Sequence, residues 1–121
     1  MVDLNKIIQA KRTIANFVRN TELYESKKLS VLSGAEVFVK RENLQRTGAY
    51  KIRGAYNKIA HLSDEQKQGG VIAASAGNHA QGVALSAREF GVRAVIVMPE
   101  STPLLKVIGT KNLGAEVILK G

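Results

Sequence analysis

Residues 71–98 read VIAASAGNHAQGVALSAREFGVRAVIVM, and their pattern decides the fold. Val71-Ile72-Ala73-Ala74 is a continuous apolar run with no alternation, and Ala94–Met98 is another. Unbroken runs of this kind predict parallel strands buried on both faces. Between them a helix is predicted from about His79 to Phe90, stopped by Gly91. Beyond Met98, Thr102-Pro103 offers a capping hydroxyl followed by proline at the first helical position. That helix ends near Gly114, and Glu116–Leu119 is a third apolar strand. The alternation predicts an α/β fold, an open parallel βαβ sheet with right-handed crossovers. The sequence stops just after a buried-type strand, whereas such a sheet needs helices on both faces. A truncated fold, part of a longer chain, is therefore expected.

Upstream, Gly69-Gly70 closes a short turn that Ser63 and Gln66 open as a capping box. A helix is predicted from about Ala49 to Leu62, with Ile52, Ala55, Tyr56, Ile59 and Leu62 as its buried stripe. The polar stretch 42–47 leads into it. Residues 36–41 read as a strand with Val37 and Val39 on one side and Glu36, Phe38 and Lys40 on the other. A short strand is expected near Leu29–Leu32, before a Ser33-Gly34 turn. Asp3 can cap a first helix running to about Arg19, with Leu4, Ile7, Ile8, Ile14, Ala15 and Val18 on one stripe.

Composition narrows the function classes. The 121 residues are 45% apolar and 23% charged, ordinary for a globular domain. There is no Cys, hence no disulfide framework and no thiolate chemistry, and two His are too few for a His-rich metal site. No metal is expected. No apolar run is long enough for a membrane span, and no secretory signal opens the chain, so cytoplasmic residence without a membrane partner is the default expectation. The net charge is +8, but the basic residues are scattered and aromatics are only 5%, which argues against a nucleic-acid partner.

Two stretches can carry chemistry. In Gly48-Ala49-Tyr50-Lys51-Ile52-Arg53-Gly54-Ala55, a lysine sits in the first turn of a helix just after a glycine. The helix N-terminus, Arg46 and Arg53 place positive charge nearby. Such surroundings favour the neutral amine that a Schiff base requires. The alternative is a solvated lysine on a helix start. The second stretch is Ser75-Ala76-Gly77-Asn78-His79-Ala80-Gln81-Gly82, between a strand and a helix start. Its free backbone N–H groups suit a phosphate or carboxylate, and Gly77 and Gly82 let a ligand approach closely. The alternative is a plain βα turn. Its glycine spacing matches neither a dinucleotide fingerprint nor a P-loop.

Together, Leu44-Gln45-Arg46-Thr47-Gly48-Ala49-Tyr50-Lys51-Ile52-Arg53-Gly54-Ala55 and Ser75–Gly82 resemble the threonine/serine dehydratases, pyridoxal-phosphate enzymes of the tryptophan-synthase-β fold group. The resemblance spans essentially the whole chain. It implies an amino-acid substrate, pyridoxal 5′-phosphate as cofactor and a homo-oligomer. It implies that Lys51 condenses with the cofactor aldehyde and, once freed, removes the substrate α-proton. Asn78 matches the residue that hydrogen-bonds the cofactor ring hydroxyl, and Tyr50 the aromatic, usually Phe, beside the cofactor. Ser75, Gly77, Asn78 and His79 match the loop that clamps the substrate carboxylate. His61 has no implied role. Residues 1–47 are expected to belong to the large cofactor domain, and 48–121 to begin the small substrate-clamping domain.

Two departures stand out. Ala49-Tyr50 replaces the more usual Ser-Phe, and the added hydroxyl needs a partner if buried. Ala76 stands where relatives that racemise serine carry a second Ser, which favours elimination over racemisation. The glycine run that grips the cofactor phosphate in this family has no counterpart here. The isolated chain is therefore expected to bind the cofactor weakly or not at all, to lack useful turnover, and to self-associate through an apolar sheet face around Val95–Met98 and Val117–Leu119.

Overall fold

The computed structural model describes residues 1–121. Its centre is a parallel sheet of β3 (Val71–Ala74), β4 (Ala94–Met98) and β5 (Glu116–Leu119), in that order. The register pairs Val71 with Ala94 and Val95 with Glu116. Helix α5 (Asn78–Glu89) crosses from β3 to β4, and α6 (Leu104–Asn112) from β4 to β5. The three strands and two crossovers match the sequence expectation. Gly91 and Gly114 end the two helices with φ of 63° and 96°, a region open to glycine at little cost.

The expectation of strands buried on both faces is corrected. α5 packs on β3 and β4, and α6 packs on β5 and on α5, so both helices cover the same face. Ala94, Ile96 and Met98 of β4 point into that layer and are buried, the last two completely. On the other side Ile72 is 73% exposed and Ile118 41%. An unbroken apolar run records what a strand can bury; whether a second layer covers it depends on elements outside the run.

Helix α3 (Lys51–Ala60) lies against α5 and buries Ile52, Ala55 and Ile59, as its stripe predicted, with Tyr56 half-buried. The short α4 (Asp64–Gly69) begins with the expected capping box, Ser63 and Gln66 serving each other's backbone. At the other capping signal the expectation fails. Pro103, not Thr102, precedes α6 with no side-chain cap, and Thr102 Oγ1 is buried without a partner.

The N-terminal third departs most from its expectations. Helix α1 (Leu4–Ile14) is capped by Asp3, which accepts from Lys6 N at 2.9 Å, but ends five residues before Arg19. The chain turns there so that Phe17 can bury and stack on Tyr56, ring centroids 4.1 Å apart. Of the predicted stripe only Ile14 is buried; Leu4, Ile7 and Ile8 are exposed. The strand expected at Leu29–Leu32 is instead part of helix α2 (Lys27–Ser33). Ser26 caps its start and Gly34, at φ 69°, its end. A four-residue apolar run fits either structure by pattern, and the two caps decide for the helix. Strand β2 (Phe38–Lys40) keeps the predicted alternation but pairs antiparallel with β1 (Leu23–Glu25), which lies in a polar stretch, residues 20–28, that reads by sequence as a loop. No helix is long and apolar enough to cross a membrane.

Candidate functional site

The two motifs meet where α3 and α5 begin. Gly48, at φ 68°, turns the chain into α3, its N–H donating to Gln45 O at 2.8 Å. Ala49 is buried, Tyr50 is the residue before the helix, and Lys51 is its first residue. Lys51 is exposed, its Nζ 5.2 Å from the centroid of the Tyr50 ring. Tyr50 is itself 59% exposed, so its hydroxyl needs no protein partner.

The joint between the helices is Gly82. A Cβ there would lie 3.2 Å from Ile52 N and 3.3 Å from Lys51 C, so a larger residue would push α3 away. Sequence reading gave Gly82 to a ligand; the structure gives it to the backbone of Lys51 and Ile52. Asn78 lies four residues earlier, one helical turn along the same face of α5. The amine-bearing end of α3 and the amide-bearing end of α5 are thereby neighbours.

The loop 75–77 is shaped by its own bonds. Ser75 N donates to Val97 O at 3.0 Å, and Gly77 N to Ser75 Oγ at 3.3 Å. Gln81 N reaches back to Gly77 O. The N–H groups of Asn78, His79 and Ala80 have no acceptor inside α5, and no side chain caps that end. Open space lies over Gly77, where a Cβ would meet nothing within 4 Å. Unpaired donors, the positive end of a twelve-residue helix and room above them suit a carboxylate or phosphate. Ser75, Gly77, Asn78 and His79 are contiguous at this end. His79 also borders an apolar hollow of about 290 Å³ with Ile59, Leu62 and Ile72, a hollow that neither Lys51 nor Asn78 lines. His61 ends α3, its Nδ1 2.7 Å from Asn57 O, away from both motifs.

The cations expected beside Lys51 are engaged elsewhere. Arg53 binds Glu42 through Nε to Oε2 at 2.8 Å and Nη2 to Oε1 at 2.7 Å. Arg46 lies over the Phe17 ring, 4.6 Å from its centroid. The Arg53 guanidinium and the Thr21 hydroxyl hold the Glu42 carboxyl down at about 2 although burial raises it; Arg53 is raised in turn. Sequence reading missed Glu42, Gln45 and Thr21 as a group. The one available signal was that Glu42 is the only acid between Arg41 and Lys51.

The residues present fit the chemistry of an aldehyde cofactor. The site presents a solvent-open primary amine at the start of α3, an amide at the start of the adjoining α5 and a rim of unpaired N–H groups, a donor set that fits the aldehyde, ring hydroxyl and bound carboxylate. A cluster of His, Cys, Asp and Glu able to hold a metal is not formed.

A profile described as pyridoxal-phosphate dependent enzyme matches residues 14–121. The L-threonine ammonia-lyase of Thermotoga maritima is 59% identical over 121 residues, covering all of this chain and 30% of that protein. Among solved structures, maize serine racemase superposes with a TM-score of 0.90 at 41% identity, over 98% of this chain and 36% of the other. The processed form of threonine deaminase isoform 2 from Solanum lycopersicum gives 0.83 at 40%, over 99% and 34%. The chain thus spans about a third of the length of the relatives it matches.

Proposed function

The chain belongs to the pyridoxal-phosphate dependent enzymes, and on that premise we propose that the protein these residues form part of eliminates and deaminates L-threonine, and L-serine, to 2-oxobutanoate or pyruvate and ammonia. The observation that carries the proposal is the contact at Gly82, which brings the backbone of Lys51 and Ile52 against α5, the helix whose start carries the unpaired donors. When bound, the cofactor supplies an electron sink for the substrate α-carbon.

In this reading Lys51 is the amine that holds the cofactor aldehyde and, when released by the substrate amine, takes the α-proton. Asn78 would donate to the cofactor's ring hydroxyl. Tyr50, largely exposed, would pack beside the ring. The backbone N–H groups of the 75–79 loop, with the Ser75 hydroxyl, orient the substrate carboxylate and so hold the α-proton toward Lys51. His79 contributes its backbone to this loop and neither binds metal nor moves a proton. Ala76 offers only a methyl group, so this chain has no acid there to return a proton to the opposite face. That favours elimination over the racemase reading that the maize neighbour suggests. We assign residues 1–47 to a large cofactor domain and 48–121 to the start of a smaller substrate-clamping one. Of the apolar face expected around Val95–Met98 and Val117–Leu119, Ile96 and Met98 are instead fully buried, while Ile118 and Leu119, with Ile72, are exposed; that open side supports the expectation of a homo-oligomeric assembly.

In the complete protein, borohydride in the presence of the cofactor should fix it to the peptide bearing Lys51. Lys51→Ala should abolish both that label and keto-acid formation from threonine. Keto-acid formation undiminished in Lys51→Ala would overturn the assignment.

A further inference from the structure

We propose that Thr21, Glu42 and Arg53 form a polar clamp that sets the position of the Lys51 amine, with Glu42 and Arg53 as positioning residues; the inference rests on the role assigned to Lys51 above. The segment leading into α3 has little else to hold it. Residues 41–48 contain one 3₁₀ turn, Glu42–Leu44, and no strand. Leu44 is 43% exposed, and the one residue of the segment that is buried is Gln45. Apolar packing therefore does not fix the path by which the chain reaches Lys51.

Polar contacts do. Arg53 lies two residues after Lys51, in the first turn of α3. Its fork reaches both Glu42 oxygens, and its Nη2 also lies 3.4 Å from Thr21 Oγ1 and 3.3 Å from Arg19 O. Thr21 donates to Glu42 Oε1 at 2.5 Å, and Lys40 Nζ to Thr21 O at 2.6 Å. Gln45 closes the other side. It accepts from Arg19 N at 2.8 Å and donates to Arg19 O at 2.9 Å, while Arg46 N donates to the same Gln45 oxygen. The three segments around residues 19–21, 42–46 and 53 are thus tied together directly beneath the first turn of α3.

The choice of residue supports a geometric role. A cation in the first helical turn opposes the helix dipole, so Arg53 is poorly placed for helix stability alone. A planar fork spans Glu42, Thr21 and Arg19 O at once, which the single ammonium of lysine does not. A rotation of the first turn is carried over two residues to Lys51, where displacement of about 1 Å costs up to about a hundredfold in rate.

The test uses the complete protein with Arg53→Lys, Glu42→Gln and Thr21→Val. Four quantities are read: cofactor affinity by absorbance titration, borohydride fixation at Lys51 by peptide mass, hydrogen exchange of residues 42–50, and the thermal midpoint. Arg53→Lys keeps the charge and should hold the midpoint within about 5 °C. It should still weaken cofactor binding about tenfold, lower fixation, and speed exchange in 42–50 while β3–β5 stay protected. Glu42→Gln should do the same or more, and Thr21→Val about threefold. If Glu42→Gln does not fold, the two milder variants decide. Wild-type affinity and exchange in Arg53→Lys and Thr21→Val would overturn the clamp. So would losses of affinity that merely track the midpoint, or full recovery by lysine. Absence of fixation at Lys51 in the unaltered protein would overturn the assignment of Lys51 and the clamp with it, whereas undiminished fixation in the variants would overturn the clamp alone.

Discussion

The βαβαβ unit and the segment that precedes α3 are held by different forces. The unit is built on one apolar cluster, with Ile96 and Met98 fully buried and Ala80, Ala84 and Ala87 letting α5 approach the sheet. Among residues 1–48 only Ile14, Phe17, Thr21 and Gln45 are buried, half of them polar. Here hydrogen bonds between Gln45 and Arg19, and those that Glu42 accepts from Thr21 and Arg53, replace a core. Burial is non-directional and tolerates small shifts, whereas a bidentate ion pair fixes position. The candidate amine stands at the boundary, on a helix packed against the apolar unit and approached by a polar-pinned loop. Robustness and precision thus come from separate parts of the molecule.

The largest effect on stability is expected in the apolar unit. Ile96→Ala removes a fully buried side chain and should cost about 3–4 kcal/mol. Val31→Ala in α2, 84% exposed, should cost less than about 0.5 kcal/mol in the same 121-residue chain. Equal costs by denaturant unfolding would break the contrast.

Acid should act next, and on the other region. The Glu42 carboxyl is lowered from 4.5 to about 2 by Arg53 and Thr21, so the folded state favours its charged form. Its contribution is complete above its unfolded value and is lost as pH falls from about 4.5 toward 2, of the order of 2 kcal/mol after solvent screening. Glu42→Gln should flatten that part of the stability profile. An unchanged acid limb in the variant would show that the pair does not hold the segment.

Two glycines sharpen the comparison at a smaller scale. Gly34 and Gly70 have φ of 69° and 79°. At Gly34 a Cβ meets nothing within 4 Å, so Gly34→Ala should cost only the left-handed strain, about 1 kcal/mol. At Gly70 it would lie 2.9 Å from Arg93 O, at the entry to the sheet where Val71 N bonds that same carbonyl. Gly70 also differs in backbone, its ψ of -176° placing it in a region that side chains essentially never adopt, so Gly70→Ala should cost at least about 1 kcal/mol more than Gly34→Ala. Similar losses would mean that the sheet entry gives way as readily as the surface helix.

Legibility followed the same divide. From Val71 to Leu119 the strands were readable as unbroken apolar runs and the helices as the segments between them, bounded by glycine and proline, because each packs against a neighbour adjacent in sequence. Upstream, Leu29–Leu32 was misread because a four-residue apolar run has no length to separate strand from helix. The strand Leu23–Glu25 was missed because its three residues are all exposed and only the β2 partner defines them. Both motif stretches were visible, since glycines and small polar residues break periodicity. The clamp was not, because its members lie 11 and 21 residues or more apart with no spacing rule to join them.

The sequence by itself determined the parallel α/β unit, the glycine-bounded turns and the two motif stretches. These depend on local preference and on burial between consecutive elements. Only the tertiary structure decided that both crossover helices share one face, that Gly82 serves α3, and that Arg53 answers to Glu42. Those outcomes depend on which distant groups come within bonding range, and a linear pattern does not encode distance.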